Sequence, residues 1–331
     1  MHSNSKRDDS FERVESKPLN QSYDEEKSGA SLQCENSQAM EDMSWMQSFW
    51  LACKRSTPTI LTMVFFQLVQ LLNIYFAGHK SSELLAGIGL GNMLLNVLVF
   101  AFTMGLNGTI ETFVSWSFGA GDNKMCGTHL NRARVVVSLL MVPVMFVFFF
   151  IDKILISMQQ DAEIAVIARN YCVWTIPGWF CSVHFDSTKR FMQTIHWSVV
   201  STTTQCITTA LHFGWGYLFI VYLDLGVAGA ALALNLTYCL NFLSQELFIH
   251  VIKRQYFEAY LQPFFTVNSL DWKGAKEFLK LGIPGTMMQC AEWWAFELLA
   301  IFAGILGKHQ LAAQVAVINI IGLCYMIPCG V

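Results

Sequence analysis

Two carboxylates, Glu292 and Glu297, lie near the middle of a stretch from Leu281 to Gly307 that is otherwise uncharged. An ionised acid in such an apolar run is costly unless water or a partner reaches it. Gln289 precedes Glu292 by one helical turn, so its amide shares a face with the carboxyl and is within reach of it. Glu292 and Glu297 point roughly 140° apart around a helix of about 3.6 residues per turn, and need not share one site. Trp293, Trp294 and Phe296 stand among the acids, and aromatic faces hold organic cations. Burial disfavours the charged form of a carboxyl, a bound cation favours it, and protonation removes the cation's partner. Mutual exclusion of proton and cation at one carboxylate is enough for exchange, provided the site opens to one side of a membrane at a time. The bland alternative for each acid is a protonated Glu bonded to a neighbouring helix as structural glue.

The composition says what solvent surrounds these residues. Residues 1–47 carry 15 of the 45 charged side chains, so the remaining 284 residues carry only 30, too few for a water-soluble surface. With 54% hydrophobic residues, 26 Phe and 10 Trp, lipid is the expected solvent from residue 48 onward. Apolar runs of spanning length occur at 57–77, 84–110, 135–151, 164–185, 197–223, 225–245, 281–307 and 311–331. Their lengths and the lack of strict alternation favour helices over a barrel, because each segment must satisfy its own backbone hydrogen bonds in lipid. The expected class is therefore an all-α membrane protein, a polytopic helical bundle. Residues 1–47 read as a disordered cytoplasmic tail without the pattern of a signal peptide.

Orientation follows from the Lys and Arg count. A cytoplasmic amino terminus puts twelve of these residues beyond the tail inside, among them Arg132, Arg134, Lys189, Arg190 and Lys280, and leaves Lys80, Lys153, Arg169 and Lys308 outside. The sequons at Asn20, Asn107 and Asn235 then fall inside or within spans and read as chance matches.

Sliding the chain on itself by 226 residues aligns Lys54 with Lys280, Pro58 with Pro284, Leu72 with Leu298, Phe76-Ala77-Gly78 with Phe302-Ala303-Gly304, and Leu85-Ala86 with Leu311-Ala312. The seventh span thus reads as a second copy of the first, in parallel orientation. The expected organisation is a first six-helix lobe over 48–252, a cytoplasmic loop over 253–280 and the first two helices of a second lobe over 281–331. On this expectation the chain is truncated after eight of about twelve spans.

Other chemistry is weaker. The net charge of −3 and the lack of a basic stripe argue against nucleic acid. The ten cysteines show no metal-ligand spacing and read as small hydrophobes, no cofactor or metal is indicated, and no catalytic constellation suggests an enzyme. His184 and His212 read as satisfied helix contacts. Gln67, Gln70, Asn73, Asn92, Asn96 and Gln205 either line a central cavity or join helices. Glu111, Asp186 and Glu246 fall near expected cytoplasmic ends, within reach of water. The run from Gly226 to Ala233 supplies small residues for close helix packing.

From about residue 48 onward the chain resembles the eukaryotic branch of the multidrug and toxin extrusion (MATE) family. The resemblance is carried by Phe76-Ala77-Gly78-His79, by Gly105-Leu106 through Glu111-Thr112 to Phe118-Gly119-Ala120-Gly121, by Arg190-Phe191-Met192-Gln193, by the run from Leu225 to Ala233, and by Glu292-Trp293-Trp294-Ala295-Phe296-Glu297. It implies two six-helix lobes around a central cleft, alternating access, and export of organic cations, drugs or other xenobiotics in exchange for protons rather than sodium. By position Glu292 and Glu297 match the acids of the family's seventh helix, and Asn96 matches a polar residue of its second. Gln289, Trp293, Trp294, Phe296, Asn96, Gln67 and Gln70 would line the substrate cavity. The sequence departs from the family at Trp116 and Ile195, where Gln is usual. A monomer in the plasma membrane or an organelle membrane is implied. The competing reading is a membrane-bound fragment that does not itself transport.

Overall fold

In the computed structural model, residues 44–158, 160–258, 260, 271–306, 317, 321, 322, 324–326 and 328 are described. Residues 1–43 of the expected tail, 261–270 of the expected loop and most of the eighth span lie outside them. The chain divides by its contacts after Lys54, and the packing below concerns Arg55 onward.

All described elements are helical. The first, α1 (Trp45–Gly78), leads into α2 (Ser82–Leu95), which runs through a π-helical segment (Asn96–Phe100) into α3 (Ala101–Gly119). Next come α4 (Asn123–Val147), α5 (Ile151–Ser157), α6 (Ala162–Trp174), α7 (Ile176–Thr194) and α8 (Ser198–Gly216). A π-helical turn (Tyr217–Tyr222) precedes α9 (Gly226–Leu247), the short α10 (Arg254–Phe257) and α11 (Trp272–Leu306). Among the described residues, four helices are long and apolar enough to cross a membrane, Trp45–Gly78, Glu83–Gly119, Asn123–Ser157 and Gly226–Ile252. Helix formation begins earlier than the apolar runs indicated, at Trp45 in α1 and at Trp272 in α11, so polar flanking residues extend both helices beyond their apolar cores.

The helix starts have local causes. The Ser81 hydroxyl accepts from the Leu84 amide at 3.0 Å, Asp122 from Met125 at 2.9 Å, and Asp161 from Glu163 at 2.9 Å. Each satisfies an amide that the first turn leaves without a partner. Asp271 does the same for α11, accepting from Lys273 and Gly274. Proline, which lacks an amide hydrogen, separates α6 from α7: α6 ends at Trp174 and α7 restarts with Pro177 in its first turn. Pro58 and Pro284, aligned by the 226-residue repeat, fall inside α1 and α11.

The burial pattern is that of a protein in lipid. Leu139, Val142, Phe146, Val199, Leu243 and Val251 are exposed, whereas Asn73, Gln205, Asn241 and Gln245 are buried. Inside, apolar side chains from α1, α2, α4, α6, α7 and α9 form one cluster around Val69, Ile88, Met141, Tyr171, Trp179 and Tyr238. A second cluster joins Ile110, Val114, Phe191, Ile195, Phe257 and Phe278. The buried amides bond one another across helices: Asn241 donates to Gln205 at 2.9 Å, and Gln245 to Ser201 at 2.8 Å. Tyr171 donates to Asn92 at 2.9 Å, and His184 and His212 meet Ser138 and Thr237. Such bonds are the directional part of helix association in lipid. Among the described cysteines, Cys126, Cys172 and Cys290 are buried, but Cys53, Cys206 and Cys324 are exposed, so core packing accounts for only some of them.

Candidate functional site

The site is built where α11 meets the π-segment. In an α-helix the Val97 carbonyl would accept from the amide of Ala101; here that amide bonds to Asn96 instead. The Val97 carbonyl is thereby freed, and the Trp294 indole N–H donates to it at 3.1 Å. One residue earlier on α11, the Trp293 ring stands edge-on to Phe100, with centroids 5.1 Å apart.

Immediately before these tryptophans, Glu292 is exposed on α11. The Gln289 amide reaches one of its carboxylate oxygens at 3.5 Å, as the one-turn spacing predicted, and the Tyr325 hydroxyl donates to the other. The Tyr325 ring also stands edge-on to Trp293 at 6.1 Å. Aromatic rings then continue inward, from Trp293 to Phe100, to Phe66 at 5.4 Å and to Tyr238 at 5.9 Å. The arrangement offers a carboxylate with donors on both oxygens beside aromatic faces, which suits a cation or a proton. The Trp293 indole N–H has no hydrogen-bond partner among the described residues and is available as a donor.

The remaining expected residues divide between this site and the scaffold. Asn96 opens the π-segment and is half-buried. Gln70 is buried on α1, with Gln67 half-buried on the same helix. The side chains of Phe296 and Glu297 lie outside the described residues. Gln193 donates to Thr59 at 3.4 Å, an α7 to α1 tie. Thr112 is half-buried on α3, Gly119 ends that helix, and Gly121 takes a φ of 76° that favours glycine. Trp116 is exposed, while Ile195 is buried in the second apolar cluster, which accepts an aliphatic side chain readily.

Two features were not legible in the sequence. Tyr325 sits in the last apolar run, and nothing in its spacing reveals that it meets Glu292. The second is a charged clasp joining α3, α4, α7 and α9. Arg190 pairs with Glu111 at 2.7 Å and Asp186 at 3.0 Å, and Lys189 with Asp186 at 2.5 Å. Asn107 donates to Asp186 at 2.9 Å, while Arg134 engages Glu246 and Thr188. The acids expected to rest in water are therefore neutralised by basic side chains of neighbouring helices. A cavity of about 30 Å³, enough for a single water, lies beside this clasp among Thr62, Thr103, Ser182, Asp186 and Gln205.

Comparison with known proteins agrees with this architecture. The MatE family model matches residues 58–218. The chain is similar to Protein DETOXIFICATION 8 of Arabidopsis thaliana, with 29% identity over 250 residues, covering 75% of this chain and 50% of that protein. It is similar to Protein DETOXIFICATION 16 of the same plant at 29% identity, covering 86% of this chain and 57% of that protein. The chain thus spans about half the length of the curated relatives it matches. Its fold is similar to that in the crystal structure of the eukaryotic MATE transporter AtDTX14, with a TM-score of 0.79 and 22% identity, covering 86% of this chain and 63% of that one.

Proposed function

The chain is a member of the multidrug and toxin extrusion (MATE) family, and from that premise we propose that the protein is a secondary antiporter that exports organic cations, drugs or other xenobiotics in exchange for protons. The observation that carries the reading is the environment of Glu292, a carboxylate on an apolar helix with donors on both oxygens and tryptophans beside it. Either a proton or an organic cation satisfies that carboxylate, and each displaces the other. On this reading Trp293 and Trp294 supply aromatic walls, Gln289 and Tyr325 orient the acid, and Phe296, Asn96, Gln67 and Gln70 are assigned to the substrate cavity by their positions in the sequence. Glu297 is a second acid of the same helix.

The lobe boundaries proposed from the sequence, 48–252 and 281 onward with a connecting loop between, fit the repeat of α1 in α11. A cytoplasmic amino terminus is supported by the clasp, since Arg134, Lys189 and Arg190 gather at one end of the bundle. Lys80 and Asp224 pair across the loops at the opposite end. The partners proposed are organic cations, protons and the bilayer, with the protein acting as a monomer.

The test uses the protein in proteoliposomes with a fluorescent organic cation and an imposed pH gradient. The gradient should drive uptake in the parent and not in Glu292→Gln. Uptake that ignores the gradient, or a Glu292→Gln variant that transports as well as the parent, would overturn the mechanism.

A further inference from the structure

Helix α11 packs along α3 in one antiparallel register. Phe278 stacks on Phe113 with centroids 6.2 Å apart, Gly282 lies against Thr109 and Leu106, and Thr286 against Gly105. The contact is close enough that a Cβ on Gly105 would stand 2.3 Å from the Thr286 Cα. Two steps further on, the same register brings Trp293 to Phe100 and Trp294 to Val97. Beyond the π-segment α11 has no extensive packing on α2 among the described residues. Among the described residues the two helices are therefore zipped up to the π-segment and not beyond it. At the end of that contact a backbone carbonyl has lost its own helical donor, and the helix opposite presents an indole N–H to it.

We propose that Trp294 is a positioning residue for Glu292: its bond to the freed Val97 carbonyl fixes the rotation of α11 at the end of the zipped contact. Successive residues of a helix project about 100° apart. Trp293 against Phe100 and Trp294 on Val97 therefore hold α11 from two directions, and the direction of Glu292, the next residue back, follows. The π-segment has a purpose on this account, because in an unbroken α-helix the Val97 carbonyl would already be engaged by the Ala101 amide and would be a weaker acceptor for Trp294. The inference rests on the reading of Glu292 as the exchanging carboxylate.

The helix pairing is read by a disulfide between Thr109→Cys and Gly282→Cys, since a Cβ on Gly282 lies 3.1 Å from the Thr109 hydroxyl oxygen. In the protein in proteoliposomes, Trp294→Phe keeps a six-membered aromatic ring and removes the N–H together with the rest of the indole's second ring. It should lower the cross-linked fraction about fivefold, the effect of losing one hydrogen bond. Trp293→Phe makes the same chemical change where the N–H has no partner, and should leave that fraction unaltered. Uptake of the fluorescent cation should show a severalfold higher KM in Trp294→Phe. An unchanged cross-linked fraction in Trp294→Phe, or an equal fall in Trp293→Phe, overturns the proposal. If Trp294→Phe does not fold, hydrogen exchange of the Trp294 indole decides. It should be slower with the disulfide closed than reduced, and equal rates overturn the proposal. A pH gradient that drives no uptake while Trp294→Phe still loses cross-linking would defeat the antiport reading and leave the positioning of α11 standing.

Discussion

The Tyr325 hydroxyl donates to a carboxylate oxygen of Glu292, across the gap between the last described helical residues and α11. A phenol bonded to a charged acceptor contributes more than a neutral pair does, roughly 1.5–3 kcal/mol. Tyr325→Phe keeps the ring against Trp293 and removes that donor, leaving Gln289 as the acid's partner among the described residues. Transport driven by a pH gradient is expected to fall about tenfold in Tyr325→Phe, less than in Glu292→Gln. Initial uptake rates at saturating cation measure it, and a variant that matches the parent would remove Tyr325 from the site.

The clasp around Asp186 predicts a stability effect separate from transport. Asp186 faces Lys189 and Arg190 and accepts from Asn107, and both basic side chains are buried. Asp186→Asn leaves two buried cations short of their counter-charge, a loss of about 3 kcal/mol or more by the usual cost of breaking such a pair. The thermal unfolding midpoint in detergent should drop clearly below that of the parent, and an unchanged midpoint would mean that Glu111 alone neutralises the pair.

The helical class and the Glu292 to Gln289 pairing were legible because they depend on spacing along one helix, which a sequence states directly. The clasp and the Tyr325 contact depend on which helices become neighbours, and spacing within a helix carries no such information. Asn107 and Asn235 illustrate the difference. Each reads as a chance sequon, yet Asn107 bonds Asp186 and Ser187, and Asn235 is bound into the break between α6 and α7. The π-segment escaped for another reason. Its sequence, Asn-Val-Leu-Val-Phe, has the composition of any apolar helix, and only the Ala101 amide bonding to Asn96 distinguishes it.

The break between α6 and α7 supplies a third prediction. An unbroken helix would bond the Gly178 amide to the Trp174 carbonyl. Around Pro177 the Asn235 carboxamide of α9 stands between them, accepting from Gly178 at 2.9 Å and donating to Trp174 at 2.8 Å. Asn235→Ala opens both bonds at once and should destabilise the protein by about 1–3 kcal/mol. Asn235→Gln should not restore it, because the longer side chain cannot occupy the same gap. Unfolding midpoints of the two variants check this, and parent-like stability in Asn235→Ala would show that the break is satisfied in another way.

The close approach of α3 and α11 gives the last. Glycine at position 105 is required because the obstacle to a Cβ there is the Thr286 backbone, which cannot rotate aside as a side chain can. Even Gly105→Ala must push the helices apart, at a cost of about 1–3 kcal/mol for overpacking. That cost falls only on the zipped arrangement, so it shifts the balance toward states in which α3 and α11 are separated. Cross-linking of Thr109→Cys with Gly282→Cys should therefore fall severalfold in Gly105→Ala, and transport should slow because one of two exchanging states is depleted. Gly108→Ala is the control, since a Cβ on Gly108 meets open space. Equal cross-linking in Gly105→Ala and Gly108→Ala would show that the zipped contact is not a state the protein must form.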